Sequence, residues 1–200
     1  MNTPARTSAL TSSSARGFTL IELLVVVTII GILVGIAVPV GNKVLENTRK
    51  VRVQATIKDL QVSIKGYQTE YNRFPVKQAG GQDTTMMTDD STSLVSILLG
   101  GNQDDLNPRE IVFIELPMAK NGAGGLVGDE GAYSLTDGWG EPYNVILDTD
   151  YDNRIDNPDV SNEDSTIAGE AAARLPMGVA IYSNGKDKTQ STKDDVVSWR

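Results

Sequence analysis

The chain has 200 residues, a net charge of −8, and neither cysteine nor histidine. That length allows one modest domain plus an anchor. The acidic balance argues against broad phosphate binding, so no nucleic-acid partner is expected. The missing residues exclude disulfide staples, histidine triads and His-ligated zinc.

The leader, 1–17, is rich in Ser, Thr and Ala with two arginines, Arg6 and Arg16; it reads as unstructured and removable. Its removal takes the charge from −8 to −10. Gly17–Val40, GFTLIELLVVVTIIGILVGIAVPV, is apolar for about the length a helix needs to cross a bilayer. Its single charge, Glu22, is costly in lipid and needs a partner. A cut between Gly17 and Phe18 would create one, the Phe18 α-amine, in the same chain or a neighbour. Gly31 and Gly35 have the spacing that lets membrane helices approach closely. Pro39 is expected to kink or locally open the helix. The positive-inside rule leaves orientation open, because Lys43, Arg49, Lys50 and Arg52 follow the span.

Gly17, Phe18, Thr19, Leu20, Ile21 and Glu22, the apolar run and Pro39 together resemble the processing and methylation signal of the type IV pilin superfamily. The resemblance implies cleavage after Gly17 by a prepilin peptidase and N-methylation of Phe18. It implies that Glu22 guides assembly into a helical filament, and that Pro39 lies where subunits can loosen. It also places the leader in the cytoplasm and the C-terminal domain in the periplasm.

The helix is expected to continue over 41–75. Val53, Ile57, Leu60, Ile64, Tyr67, Tyr71 and Phe74 step by four and three, which puts them on one stripe to be buried. Asn42–Arg52 lacks the stripe and is charged, hence exposed or packed between subunits. Pro75 should stop the helix near Phe74, giving a rod of roughly 85 Å. The globular part, 76–200, reads as a polar loop over Val76–Asp90, a short helix over Ser91–Gly101 and a strand over Glu110–Leu116. A glycine-rich loop follows over Lys120–Gly131. Tyr143–Leu147 and Met177–Ser183 are expected to pair as a small antiparallel sheet against the long helix. Glu163–Arg174 reads as a further short helix. The fold class is α+β, pilin-like.

Asp137, Trp139, Gly140, Pro142 and Tyr143 resemble a turn-and-strand signature of the major pseudopilins of type II secretion; Gly138 stands where proline is usual there. Physically, glycines permit a tight turn while Trp139 and Tyr143 offer large surfaces to the core.

Two acidic loops are candidate Ca2+ sites. DTDYDNRIDNPD places Asp148, Asp150, Asp152, Asp156 and Asp159 at the first, third, fifth, ninth and twelfth positions of an EF-hand-type loop. Asn153 replaces the usual glycine, Asp159 replaces the usual glutamate, and no entering helix is evident. The alternative is a solvated acidic hairpin. In the C-terminal loop, Asp187, Asp194 and Asp195 resemble the calcium-holding aspartates of the major pseudopilins. There Lys186, Lys188 and Lys193 could instead pair with those aspartates.

The resemblance implies a non-enzymatic, single-pass inner-membrane subunit of a type II secretion pseudopilus. Its implied partners are further copies, the prepilin peptidase, the assembly platform and minor pseudopilins. The competing readings are a type IV pilin or minor pilin for adhesion, motility or DNA uptake, and a membrane-anchored hydrolase using paired carboxylates.

Overall fold

The computed structural model describes residues 17–77, 81–89, 91–129 and 131–200, the side chains of 37–42 excepted. The expected leader before Gly17 and the Pro39 side chain therefore lie outside the described residues. The architecture is α+β, with a long N-terminal helix and small antiparallel sheets. The chain divides into two units, Met1–Leu45 and Glu46–Arg200. Helix α1, Leu20–Tyr71, belongs to both and is helical at position 39.

In the second unit the expected stripe is buried. Val53, Ile57, Leu60, Ile64, Tyr67 and Phe74 are sequestered, and Tyr71 is partly so. The helix ends at Tyr71, earlier than Pro75 alone would require. Asn72 adopts the left-handed conformation (φ 55°) while its amide still donates to Gln68 O at 2.8 Å. Asparagine tolerates that conformation and so ends the helix.

Four strands form the main sheet: β1 (Thr84–Met87), β4 (Asn144–Leu147), β7 (Val179–Ser183) and β8 (Val196–Val197), hydrogen-bonded in that order. The expected central pairing is present, with Val145 opposite Ile181 and Leu147 opposite Val179. Alternate residues point to opposite faces. Val145, Leu147, Val179 and Ile181 join the α1 stripe in the main core. Ile146, Ala180, Tyr182 and Val197 form a second cluster with Ile155, Leu175 and Trp199. Both faces are thus covered, which is why β4 and β7 read as continuous apolar runs rather than alternating ones. The second cover is built from β5 (Ile155–Asp156) paired with β6 (Arg174–Leu175), and α3 (Ser165–Glu170) lies between them in the chain.

Several expectations need correction. β1 lies inside the stretch read as a loop. The glycine-rich segment contains β2 (Gly125–Val127), paired with β3 (Ser134–Thr136). Glu110–Leu116 is not a strand. Asn107, fully buried, takes the place of a strand partner: its Nδ2 donates to Ile111 O at 2.9 Å and its Oδ1 accepts from Ile111 N at 3.0 Å. The Phe113 amide caps α2 (Leu94–Leu98) by donating to Leu98 O at 2.9 Å. With its polar groups used this way, the segment has no ladder to join.

Candidate functional site

The first candidate is the N-terminal segment. Phe18 is 74% exposed and Leu20 87%. Every described side chain from Phe18 to Ile36 is exposed, on all sides of the helix. A Cβ at Gly31 or Gly35 would meet no atom within 4 Å, so no contact within the chain uses their spacing. Among the described residues, no helix is long and apolar enough to cross a membrane. The side chains of 37–42, which would complete the expected span, lie outside those residues.

Glu22 caps its own helix. Its carboxylate accepts from the Thr19 amide and the Thr19 hydroxyl, both at 2.8 Å, while Thr19 Oγ1 accepts from the Glu22 amide at 3.3 Å. This is a capping box, which satisfies helix-terminal donors reciprocally. The Thr-x-x-Glu spacing that signals such a cap is a local feature of the sequence.

The five aspartates of the first acidic loop are dispersed. Asp148, only 3% exposed, accepts from the amides of Asp152 (3.1 Å) and Asn153 (2.9 Å). Asp150 accepts from the Asp152 amide at 3.2 Å. Tyr151 and Asn153 are left-handed (φ 62° and 60°), which lets the loop fold back over Asp148. Asp152 and Asp156 both turn to Arg174, at 2.6 and 3.1 Å. Asp159 is buried against the C-terminal segment, accepting from Trp199 Nε1 at 2.6 Å and pairing with Arg200 Nε at 2.9 Å. Arg200 supplies the counter-charge that a metal would otherwise bring.

A residue outside the sequence pattern completes the group. Asp83, just before β1, brings a carboxylate oxygen within 4.8 Å of oxygens from Asp148 and Asp150. One Asp83 oxygen, Oδ1, is buried without a hydrogen-bond partner. Burial, and then the charges of Asp150 and Asp148, push Asp83 up to about 6. Burial and a hydrogen bond shared with Asp150 push Asp148 up as well. These three carboxylates could hold a hard cation. Asp83 was hidden because the register of β1 against β4, Thr84 opposite Leu147, sets it beside the loop from 65 residues away in sequence.

In the C-terminal loop the acids bind main chain. Asp194 Oδ2 accepts from the amides of Lys186 (2.6 Å) and Asp187 (3.2 Å). Burial pushes Asp194 up, but the Asp187 amide and the other donors outweigh it and hold it low. Asp195 accepts from the amides of Ser191 (2.9 Å) and Thr192 (3.2 Å), and burial pushes it up to about 6. Asp187 accepts from the Thr189 amide at 2.8 Å. Two of the neighbouring lysines go elsewhere: Lys188 pairs with Glu141 at 2.7 Å and Lys193 with Asp164 at 3.0 Å.

The central turn is organised by Asp137, fully buried. It accepts from the amides of Trp139 (2.8 Å) and Glu141 (3.0 Å) and from the Ser183 hydroxyl (2.5 Å). It thereby ties the turn to β7.

With this geometry in place, comparison with known proteins is decisive for the N-terminal segment. The family described as "Prokaryotic N-terminal methylation motif" matches residues 12–38. The chain carries that motif. It is also similar to the type II secretion system core protein G of Klebsiella michiganensis, 37% identical over 71 residues, which are 34% of this chain and 49% of the relative. The core protein G of Pectobacterium carotovorum is 36% identical over 67 residues, 32% of this chain and 42% of the relative. The type IV major pilin protein PilA of Myxococcus xanthus is 41% identical over 59 residues, 30% of this chain and 27% of the relative. The chain thus spans about half the length, or less, of the curated relatives it matches. No solved structure matches.

Proposed function

We propose that the chain is a non-enzymatic filament subunit of the pseudopilin kind, serving type II protein secretion. The observation that carries this is the apolar N-terminal helix, exposed on all sides within the segment that the methylation motif matches. A helix apolar all round must be surrounded by lipid or by other helices. The processed chain begins at Phe18, N-methylated, after a prepilin peptidase removes the leader. The helix anchors the subunit in the inner membrane with the folded unit in the periplasm. Copies, with minor pseudopilins and an assembly platform, polymerise by packing these helices. Beyond capping its own helix, Glu22 serves the assembly of that helix with other copies. Core protein G relatives support the secretion role; the pilin match keeps a type IV pilus as the second reading. A deletion strain separates them: accumulation of exoproteins in the periplasm supports secretion, whereas loss of surface pili with normal secretion supports the pilus.

Ca2+ is part of this proposal. Its best-fitting ligands are Asp83, Asp148 and Asp150, because their clustered charges and the orphaned Asp83 oxygen call for a cation. The C-terminal aspartates fit less well, since among the described residues Asp187, Asp194 and Asp195 do not bring three carboxylate oxygens together as Asp83, Asp148 and Asp150 do. Thermal melting of the detergent-solubilised chain, with Ca2+ and with chelator, tests this. Asp83→Ala and Asp148→Ala should each remove most of the Ca2+-dependent shift, and Asp187→Ala should not. If Asp187→Ala and Asp195→Ala remove it instead, the ion belongs to the C-terminal loop.

A further inference from the structure

The carboxylates that could hold Ca2+ share their surroundings with a cation the chain supplies itself. Arg174, in β6, donates through Nη1 to Asp152 Oδ2 at 2.6 Å and through Nε to Asp156 Oδ1 at 3.1 Å. Its Nη2 donates to Arg154 O at 3.2 Å and lies 3.9 Å from Asp83 Oδ2. Among the described residues, no other lysine or arginine pairs with Asp83, Asp148, Asp150 or Asp152. The backbone fixes Arg174 in this place. It lies directly opposite Asp156 in the β5–β6 ladder, and its neighbour Leu175 is buried in the second cluster.

One guanidinium does not satisfy this group. Asp83 Oδ1 stays buried without a hydrogen-bond partner, and oxygens of Asp83, Asp148 and Asp150 lie within 4.8 Å of one another. A guanidinium presents its donors in a fixed plane and serves only the side it faces. Ca2+ takes about six to eight oxygens in a flexible geometry. Asp152 is the carboxylate both cations could use. Its amide donates to Asp148 Oδ1 at 3.1 Å and to Asp150 Oδ1 at 3.2 Å, so its main chain lies against the cluster. Its side chain is turned away, with Oδ2 on Arg174 and Oδ1 accepting from the Arg154 amide at 2.8 Å. In the loop it follows Asp148 and Asp150 at the next alternate position, which supplies a ligand in EF-hand loops. Exchanging Arg174 for the ion asks of Asp152 a side-chain rotation.

We propose that Arg174 is a built-in competitor of Ca2+, holding Asp152 while the ion is absent and yielding it as a further ligand when the ion binds. The two cations repel each other, so each weakens the other's hold on the shared carboxylates. Arg174 thereby steadies the ion-free fold and raises the Ca2+ concentration at which the site fills. The inference rests on the Ca2+ reading at Asp83, Asp148 and Asp150 and names what regulates that site.

Calorimetric Ca2+ titration and thermal melting of the detergent-solubilised full chain, beside its Arg174→Gln variant, provide the test. The variant should bind Ca2+ at least about tenfold more tightly, because a carboxylate is freed and a like charge removed. In chelator it should melt below the parent, because the clustered carboxylates lose their counter-charge. A merely structural ion pair would lower melting alike with and without Ca2+ and leave the dissociation constant unchanged; that result overturns the proposal. Adding Asp152→Asn to Arg174→Gln should cancel most of the gain in affinity, and a gain that survives it overturns the role of Asp152. Adding Asp83→Ala should abolish the gain, and a gain that survives it puts the ion elsewhere and overturns the proposal. Arg174→Lys covers the case in which the uncharged variant does not fold. It keeps the charge but loses the fork, and should tighten Ca2+ binding by a smaller factor. If parent and variants bind Ca2+ equally, the competition falls while the Ca2+ reading stands. If none of them binds Ca2+, both fall.

Discussion

One helix serves two units under opposite burial rules. In the first, Leu20, Leu24 and Leu33 are 87%, 62% and 61% exposed; in the second, Ile57, Leu60 and Ile64 are at most 1% exposed. The residue types are alike and the backbone is continuous helix. What differs is the pattern: apolar all round before position 40, a one-sided stripe after position 52. A stripe can be satisfied by the chain's own sheet. An all-round apolar surface cannot, so its stabilising surroundings must come from outside the chain. The second unit satisfies its apolar surface within the chain, whereas the first calls for surroundings that the chain does not supply.

Mutations on the two sides should therefore separate cleanly. The largest effect on folding is expected from Leu60→Ala, which empties a core site and should cost about 2–5 kcal/mol. At roughly 2–4 °C per kcal/mol for a unit this size, the melting temperature should drop by about 4–20 °C. Leu33→Ala makes the same chemical change and should leave melting within about 0.5 kcal/mol of the parent. Ile30→Lys should likewise leave the folded unit intact. It places a charge in the apolar run at a cost of about 2.5–3.5 kcal/mol, and fractionation should show less of the chain retained in membranes. A next, smaller effect is expected at the central turn. Asp137→Ala leaves buried amides and the Ser183 hydroxyl unpaired, costing about 1–3 kcal/mol; denaturant unfolding would measure it.

The smallest effect is on pH. Asp83 and Asp195 are both pushed up to about 6, above the ordinary aspartate value of about 3.9. Between those values the folded chain binds more protons than the unfolded one. In chelator, stability should thus fall as pH rises from about 4 to 6 and level off above. Asp83→Asn should flatten part of that slope, and Ca2+ bound at Asp83 should compress it.

How far these features were legible depended on whether the signal was local. The α1 stripe was readable because its period is a property of consecutive residues, and β4 with β7 because both are compact apolar runs. β1 was not: Thr84, Thr85, Met86 and Met87 acquire strand geometry only by pairing with β4. Ile111–Ile114 looks like a strand by composition, but the Asn107 side chain claims the polar groups of Ile111. Glu22 was readable as the lone charge in an apolar run. At the acidic loop the five-aspartate spacing was visible, yet Arg174 and Arg200, distant in sequence, draw Asp152, Asp156 and Asp159 to other partners. Asp83, more distant still in sequence, joins the two that remain, with Arg174 Nη2 3.9 Å from its Oδ2.

The central claim is that the exposed apolar segment is a processed assembly element. The most direct measurement is the intact mass of the chain extracted from inner membranes. The account predicts loss of Met1–Gly17, a new N-terminus at Phe18 and the added mass of one methyl group. A mature chain that retains the leader, or one cut near Gly41 so that the apolar segment is lost, would contradict it.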